Sequence, residues 1–364
     1  MSTDETGDEV ASASSGDSAA FQLQGMSLGG GWHVVSVLPR SDERSGSAFS
    51  VGYLASCDDG RFGYLKALDY ASALGADDPP SALARLVDAY NFERDLLWRI
   101  GDRKLSRVVQ ILDASTVQIP DAYPVSYLIL ELADGDAHDM LDDGDQADCL
   151  HKINIAHDAA VGLSQLHSLG VMHQDVKPSN LLGWKEPNGR WRGKIGDLGA
   201  AHASGVTSPN EDALVPGDPS YAAPEVLYRQ GPLDARSWRL AADMYMFGNL
   251  LAFLVTGVSF SGIQALYLER SLRWNAYAGT YSEVLPFVVD AYGRAVSRIG
   301  DAVHSEAGQG LSTMVGELCH PDPALRGDPV ARRFGQDQYS LVRYVTRLDL
   351  LAKKIKVRRA RAVT

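Results

Sequence analysis

Short apolar runs separated by polar turns occupy the first third of the chain. Five of these runs have the alternation and the flanking turn residues that are typical of β-strands, and they cover residues 32–38, 49–55, 61–68, 105–112 and 125–131. Residues 82–100 differ, because Leu83, Leu86 and Leu97 fall near helical spacing and predict an amphipathic helix. The first third is therefore expected to form a mostly β region with one main helix.

Longer apolar stretches at helical spacing occupy most of the remaining chain. They predict one helix that ends near Gly170 and further helices over residues 240–256, 281–298, 311–318 and 341–356. Pro187, Asn188 and Gly189 predict a tight turn between two short strands. A change from strands to helices along the chain is typical of an α+β protein. We expect two lobes, a small and mostly β N-terminal lobe and a larger and mostly α C-terminal lobe.

The two ends of the chain differ from the middle in composition. The first 20 residues combine Ser, Gly, Ala and acidic residues and contain neither Lys nor Arg. Such a segment cannot bury enough apolar surface to offset the entropy that it loses on ordering. We therefore predict a disordered acidic tail at residues 1–27, the first lobe at residues 28–133, the second lobe at residues 134–352 and a basic tail at residues 353–364.

Net charge and cysteine usage restrict the class of protein further. The 34 Lys and Arg residues against 46 Asp and Glu residues give a net charge of -12, which argues against nucleic acid as a partner. The three cysteines lack the paired spacing of a zinc site or a disulfide framework. The most apolar run, residues 248–260, is shorter than the roughly 20 residues that span a bilayer. We predict a soluble cytoplasmic protein with no membrane partner and leave its oligomeric state open.

The stretch at residues 171–199 contains the most specific chemistry in the chain. It places Asp175, Lys177 and Asn180 in the spacing His-x-Asp-x-Lys-x-x-Asn, and Asp197-Leu-Gly follows 17 residues after Asn180. This order resembles the catalytic and metal-binding loops of eukaryotic-like serine/threonine protein kinases. The resemblance implies that Asp175 orients the substrate hydroxyl and accepts its proton, and that Lys177 steadies the transferred phosphate. It also implies that Asn180 and Asp197 hold Mg²⁺, with Mn²⁺ as an alternative metal.

The first lobe contains the nucleotide contacts that the same resemblance implies. Lys66 matches the strand lysine that contacts the α- and β-phosphates of ATP, and Glu93 is the candidate for its helix partner. Glu131 and Ala133 match the hinge whose backbone binds adenine, with Leu130 behind it. The phosphate loop comprises Ser45, Gly46, Ser47, Phe49 and Ser50. Serine takes the three positions where the family has glycine and tolerates a positive φ less readily, which predicts weaker or slower ATP binding.

Downstream motifs extend the resemblance over roughly residues 28–350. Ala223-Pro224-Glu225 resembles the end of an activation segment, and Asp243 resembles the buried helix residue that anchors the catalytic loop. Arg326 is placed to pair with Glu225. His173 is expected to pack structurally and not to shuttle protons.

Two positions depart from the family pattern. Gln174 replaces the arginine that commonly pairs with a phosphorylated activation loop, which predicts that phosphorylation of Thr207 or Ser208 is not needed for activity. Asp218 replaces a threonine, and a carboxylate there is expected to lie near Asp175 and to repel it or raise its pKa.

The resemblance implies an enzyme that transfers the γ-phosphate of ATP to Ser or Thr hydroxyls of a protein substrate, with Mg²⁺ as cofactor. The acidic residues at 134–148 favour either a solvated loop and helix start or an acidic rim that selects substrates with basic residues near the target hydroxyl. Two alternatives stay open: a pseudokinase scaffold that binds nucleotide and partners with little turnover, and a small-molecule kinase of related fold. Protein labelling that disappears in an Asp197→Ala variant would distinguish the enzyme from the scaffold.

Overall fold

The strands and helices belong to two compact units. A computed structural model describes residues 18–39, 50–143, 149–210, 213, 215–230, 235–303 and 305–363. The first unit takes its described residues from Met1–Asp42, Ser47–Val87 and Leu112–Leu132. The second unit takes them from Asp88–Ile111 and Ala133–Thr364.

A five-stranded sheet forms the centre of the first unit. Its strands are β1 Trp32–Val37, β2 Ser50–Cys57, β3 Phe62–Leu68, β4 Ile111–Val117 and β5 Val125–Glu131. The spatial order is β1-β2-β3-β5-β4, and β2 and β3 pair antiparallel with each other and with their outer neighbours β1 and β5. Helices α1 Ala71–Leu74 and α2 Pro79–Gly101 lie between β3 and β4 in the chain. Four predicted strands are thus confirmed to within two residues.

Alternation along the strands separates a core face of the sheet from a face with polar residues. The core face includes Val51, Tyr53, Leu65, Tyr127 and Ile129, all no more than 1% exposed. Burial of each such large apolar side chain contributes about 1.5–3 kcal/mol. Because successive side chains point to opposite sides of a strand, the other face presents Gly52, Tyr64 and Lys66.

The segment just before β1 packs into this core, which corrects the predicted disordered tail at residues 1–27. Ala20 and Leu23 are buried, and the hydroxyl of Tyr53 donates to the carbonyl of Ala20 at 2.7 Å. The prediction is wrong for residues 18–27, because an average composition does not reveal two apolar residues that reach the core. The rest of the predicted tail lies outside the described residues.

A second correction concerns residues 105–112, where alternation predicts a strand. The fourth strand begins only at Ile111. Val108 and Val109 are buried because they pair elsewhere: the N–H of Val109 donates to the carbonyl of Ile195 at 2.9 Å. Alternation cannot distinguish a sheet strand from a short extended segment that pairs with another element.

Helices make up most of the second unit. They are the part of α2 from Asp88 onward, α3 Ala137–Asp142, α4 Cys149–Ser168, α5 Pro224–Leu227, α6 Ala235–Thr256, α7 Phe260–Ala265, α8 Tyr281–Asp301, α9 Glu306–Leu318, α10 Pro329–Arg333 and α11 Val342–Val363. The strands are β6 Gly135–Asp136, β7 Val171–Met172, β8 Leu181–Lys185, β9 Trp191–Ile195 and β10 His202–Ala203. Strands β8 and β9 pair antiparallel around the predicted turn. A β-rich unit and a mostly helical unit agree with the predicted α+β class.

The last helix, α11, continues into the segment predicted as a basic tail, residues 353–364, of which all but the last residue are described. It reaches Val363, so the basic residues extend the helix and do not form a separate tail. Lys and Arg are good helix formers, and Lys353 pairs with Asp349 one turn earlier. Among the helices that the structure describes, none is long and apolar enough to cross a membrane.

Candidate active site

The predicted catalytic loop lies between β7 and β8, and α6 holds its start through one carboxylate. Asp243 on α6 is fully buried and accepts the backbone N–H groups of His173 and Gln174, each at 2.8 Å. A ring nitrogen of His167 lies 2.7 Å from the same carboxylate. Burial alone would raise the pKa of Asp243, but the hydrogen bond and charge of His167 and the N–H of Gln174 lower it below its ordinary value. Asp243 is thus held as a charged anchor.

Gln174 turns its side chain toward α6. Its φ of 62° lies in the left-handed region. The side-chain amide donates to the carboxylate of Asp243 at 2.8 Å and to the carbonyl of Arg239 at 2.9 Å. Gln174, which replaces the family's arginine, therefore has its side-chain amide hydrogen-bonded to α6 of the same unit.

His173 makes the structural contacts that the sequence predicts. Its Nδ1 accepts the N–H of Asp175 at 3.2 Å, so its Nε2 carries the proton and donates to the carbonyl of Gly196 at 2.9 Å. The buried ring thereby links the catalytic loop to the residue before Asp197.

Asp175 brings the predicted catalytic groups together around one carboxylate. Its Oδ2 accepts a hydrogen bond from the side-chain nitrogen of Asn180 at 2.9 Å and lies 3.0 Å from Nζ of Lys177. Its Oδ1 accepts the N–H of Asp218 at 2.7 Å. Burial raises the pKa of Asp175; Lys177 and the N–H of Asp218 oppose this rise, and the charge of Asp197 adds to it. A raised pKa makes the carboxylate a better proton acceptor than an ordinary aspartate.

Asn180 and Asp197 present oxygen atoms that suit a magnesium ion. The side-chain nitrogen of Asn180 donates to both the carbonyl and the carboxylate of Asp175, which leaves Oδ1 as the ligand atom. Asp197 follows β9 with a left-handed φ of 57°, which turns the chain at this carboxylate. The described residues contain no cluster of three or more His, Cys, Asp or Glu that could hold a metal. An Asn and Asp pair nevertheless fits Mg²⁺, which commonly binds one or two protein oxygens together with substrate phosphates.

Glu93 on α2 lies close to the Asp-Leu-Gly turn within the second unit. A Cβ built on Gly199 would lie 3.7 Å from Oε2 of Glu93 and 3.4 Å from Oδ1 of Asp197. Two carboxylates therefore flank Gly199. Lys66, the predicted partner of Glu93, belongs to the first unit, and their pairing stays a prediction.

The segment at Gly217 and Asp218 packs on the catalytic loop more closely than the sequence reveals. A Cβ on Gly217 would lie 2.5 Å from the carbonyl oxygen of Gln174, so only glycine fits. The carboxylate of Asp218 lies 3.8 Å from Nζ of Lys177. The backbone N–H of Asp218 opposes the rise in the pKa of Asp175, and the expected effect of the Asp218 carboxylate on that pKa stays a prediction. Motif spacing indicates Gly217 but cannot identify the atoms that it contacts.

Glu225 and Arg326 form the ion pair that the sequence predicts. Two guanidinium nitrogens of Arg326 donate to the two oxygens of Glu225 at 2.6 and 2.7 Å, and both side chains are fully buried. Arg326 also donates to the carbonyls of Ala241, His320 and Pro321. The end of the activation segment is thereby tied to the helical core of its unit.

The remaining predicted nucleotide contacts are divided between the described and the undescribed residues. Lys66 lies on β3, and Glu131 ends β5. Ser50 begins β2 and is buried. Ala133 is the first residue of the second unit after β5. Ser45, Gly46, Ser47 and Phe49 lie outside the described residues, so the phosphate loop stays a prediction.

Several carboxylates of the acidic stretch at residues 134–148 accept hydrogen bonds from other groups of the second unit. Asp134 accepts the N–H of Lys185 at 2.7 Å. Asp136 caps α3, and Asp143 accepts the indole N–H of Trp191 at 2.9 Å. These contacts favour a loop and helix start over an acidic rim; residues 144–148 lie outside the described part of the chain.

Comparison with known proteins agrees with this geometry. A family model described as "Protein kinase domain" matches residues 93–289, more than half of the chain. The serine/threonine-protein kinase PkaA of Streptomyces coelicolor is 30% identical over 286 residues, which cover 70% of this chain and 50% of PkaA. Mitogen-activated protein kinase 5 of Oryza sativa is 28% identical over 180 residues, 48% of this chain and 46% of the relative. The serine/threonine-protein kinase PknJ of Mycobacterium tuberculosis is 37% identical over 105 residues, 29% of this chain and 17% of PknJ.

The chain belongs to the protein kinase family. The family match and the relatives named as serine/threonine kinases confirm the predicted resemblance and the predicted fold class. The chain spans about half the length of the first curated relatives that it matches.

Proposed function

We propose that the chain is a protein kinase that uses ATP and Mg²⁺ to transfer the γ-phosphate of ATP to Ser or Thr hydroxyls of a protein. The observation that carries this proposal is the carboxylate of Asp175, which Asn180, Lys177 and the N–H of Asp218 contact together. Phosphoryl transfer requires little covalent chemistry; it requires a carboxylate near the attacking hydroxyl, a nearby cation and oxygen ligands for a metal. The arrangement around Asp175 offers all three.

Each group has a separate task in the proposed reaction. Asp175 accepts a hydrogen bond from the attacking hydroxyl and takes up its proton. Lys177 places positive charge beside the transferred group. Asn180 and Asp197 would hold Mg²⁺, which neutralises charge on the phosphate oxygens when it is bound.

The first unit and the hinge complete the proposal with nucleotide contacts. Lys66 would contact the α- and β-phosphates, with Glu93 as its partner, and the backbone of Glu131 and Ala133 would bind adenine. The loop at residues 45–50 would cover the phosphates. These assignments come from the resemblance of the motifs.

We further propose that activity does not depend on phosphorylation of the activation segment. The amide of Gln174 is bound to α6 and carries no charge that could pair with a phosphate. Ser208 is buried, and its hydroxyl donates to the carbonyl of Ala201 at 3.1 Å, which shields it from a phosphorylating enzyme. Thr207 is exposed and remains the position to test.

We place the reaction in the cytoplasm and expect no nucleic acid partner. Cys57, Cys149 and Cys319 are free thiols, as is usual in a reducing compartment. The net charge of -12 favours protein substrates with basic residues near the target hydroxyl. Asp218, whose side chain is 33% exposed beside Lys177, adds negative charge at the catalytic loop.

The test uses the full chain with radiolabelled ATP and matched Ser- and Thr-containing peptides that carry basic or acidic flanks. We expect Mg²⁺-dependent labelling of peptide by the unchanged protein and none by Asp197→Ala. Asp142→Asn changes an exposed aspartate of α3 and is the control, with labelling equal to that of the unchanged protein.

Other outcomes of the same test would favour the alternatives. Nucleotide binding without any labelling would indicate a pseudokinase scaffold and would contradict the proposal. Labelling of a small-molecule alcohol with no labelling of any peptide would indicate a small-molecule kinase. Labelling that persists in Asp197→Ala would point to a contaminating enzyme.

A further inference from the structure

A cavity of about 320 Å³ lies in the second unit beside the end of the activation segment. Its walls are formed by Pro219 and Ser220, by residues of α5, α6, α7 and α8, and by the segment between α7 and α8. All of these residues belong to the second unit. The volume is at the lower end of the range for ligand sites, so the cavity suits a single side chain or a small molecule.

Arg273 supplies the only charge among the described residues that line this cavity. The other lining residues are apolar, aromatic or polar without charge. Although the chain has 46 Asp and Glu residues against 34 Lys and Arg residues, no carboxylate residue is among them. A cation in a cavity without carboxylates attracts an anionic group. The cavity is therefore a candidate site for a negatively charged ligand.

The guanidinium of Arg273 has few partners within the chain. Its Nη2 donates to the carbonyl of Ala265, another lining residue, at 2.7 Å. Its Nε is buried without a hydrogen-bond partner, and Arg273 forms no ion pair with a carboxylate in the described part of the chain. Arg326 differs, because its guanidinium binds both oxygens of Glu225. Since a buried donor without a partner is costly, the guanidinium of Arg273 is suited to an anion from another molecule.

Contacts on both sides hold Arg273 in place. The hydroxyl of Tyr228 donates to the carbonyl of Leu272 at 2.6 Å, which fixes the backbone just before Arg273. The ring of Tyr228 also packs on Tyr281 at the start of α8, with the ring centroids 5.5 Å apart. The hydrogen bond to Ala265 holds the guanidinium itself. A side chain that is held before binding loses less entropy when a ligand arrives.

Pro219 and Ser220 connect the cavity with the catalytic loop. They follow Asp218, whose N–H donates to the carboxylate of Asp175. Two residues of chain span at most about 7 Å, so the cavity wall at Ser220 begins within that distance of Asp218. A peptide whose hydroxyl reaches Asp175 is therefore close enough to place a neighbouring side chain in the cavity.

We propose that Arg273 binds the carboxylate of one Asp or Glu residue of the protein substrate, close in sequence to the target hydroxyl; this assignment rests on the proposed function. The carboxylate accepts hydrogen bonds from the guanidinium. Leu268 and Trp274, which line the same cavity, offer apolar surface to the methylene groups of the acidic side chain. The substrate then carries this acidic residue in addition to the basic residues expected from the negative charge of Asp218.

The experiment uses the full chain with radiolabelled ATP, Mg²⁺ and peptides that share one target Ser and one basic flank. Each peptide carries a single Glu at a different position, and a matched peptide carries Gln there. We expect a position at which Glu lowers KM roughly 10-fold relative to Gln while kcat stays the same. Ten-fold is about the lower limit for a hydrogen bond to a charged group, because Arg273 is only partly buried.

Substitutions of Arg273 test whether this residue causes the preference. Arg273→Met should raise KM for the Glu peptide to that of the Gln peptide and leave labelling of the Gln peptide unchanged, a result that a merely structural role does not predict. Arg273→Glu should reverse the preference, so that Lys is favoured over Gln at the same position. Arg270→Met removes an exposed arginine outside the cavity and should keep the preference. Thermal unfolding shows whether each variant is folded.

Two further arms identify the source of the anion. A peptide with phosphoserine in place of Glu tests a phosphate, and free glutamate is added as a competitor. A gain with phosphoserine but none with Glu would overturn the assignment to a carboxylate. Competition by free glutamate at the concentration at which the Glu peptide binds would indicate a site for a small anion and would also overturn it.

The peptide comparison separates this assignment from the proposed function. If the unchanged protein labels the Glu and Gln peptides equally at every position, the assignment is overturned and the proposed function stands. A preference that survives in folded Arg273→Met overturns the assignment as well. If the folded, unchanged protein labels no peptide, the proposed function and this assignment fail together.

Discussion

The catalytic loop of the second unit and the Lys66 face of the first unit are shaped by different forces. Directional hydrogen bonds hold the loop, with Asp243 and Asp175 as their two acceptor centres. The sheet face is shaped by volume, because the ring of Tyr64 fills the space that a side chain at Gly52 would occupy. Substitutions in the loop should therefore abolish chemistry, whereas substitutions on the sheet face should adjust nucleotide affinity.

The largest effect that would sharpen this contrast is expected for Asp175→Asn. The amide keeps the size of the side chain but cannot take up a proton, so turnover should fall by about 10²–10⁴-fold. ATP affinity should change little. Peptide labelling and nucleotide titration measure the two quantities, with Asp142→Asn as the exposed control. An unchanged turnover would show that the loop does not carry the proton transfer.

Arg326→Met should cause the next largest effect, on folding. It leaves Glu225 buried without its charged partner, which should lower the free energy of unfolding by about 3–5 kcal/mol. Urea unfolding measures this, and Arg270→Met, at an exposed position, is the control. Replacing Glu225 by Met as well should restore part of the loss. Recovery is incomplete because Arg326 also serves three carbonyl groups.

Gln174→Met tests whether hydrogen bonds, and not volume, shape the loop. It preserves the side-chain length but removes two hydrogen bonds of the amide, one buried and one partly buried, so the free energy of unfolding should fall by about 1–3 kcal/mol. Gln230→Met alters an exposed glutamine and should leave stability unchanged. A loss no greater than that of the control would mean that volume alone suffices at position 174.

Thr207→Ala should have the smallest effect, with turnover equal to that of the unchanged protein. Ser208→Ala removes two hydrogen bonds of a buried hydroxyl, one to the carbonyl of Ala201 and one from the N–H of Asn210, and should cost about 1 kcal/mol of stability for each without loss of turnover. The double variant combines Thr207→Ala with Ser208→Ala. If it stays folded but loses turnover, activity depends on these two hydroxyl groups and our regulatory proposal fails.

Local patterns in the sequence predict much of the fold and the positions of the motifs. Strands β1, β2, β3 and β5 follow from alternation within each run, because one face of each strand is buried. Asp175, Asn180 and Asp197 follow from motif spacing, because they belong to short connected loops. The pairing of Glu225 with Arg326 follows from the order of the motifs.

Contacts between residues distant in the chain could not be predicted in the same way. Val108 looks like a strand residue until its segment is seen to pair with Ile195. Leu23 lies beside an acidic segment, yet it is fully buried. The sequence shows that Gln174 replaces an arginine, but only the structure shows that its amide binds Arg239. Each outcome depends on which surfaces meet after folding.

The carboxylate of Asp243 has a consequence for hydrogen exchange. The amides of His173 and Gln174 belong to a loop, where exchange with solvent deuterium is usually fast, but both donate to an acceptor in a fully buried part of α6. Their exchange then requires the hydrogen bonds to this buried carboxylate to break. We expect these two loop amides to be protected as long as those of α6, so that the loop opens together with the core of the second unit.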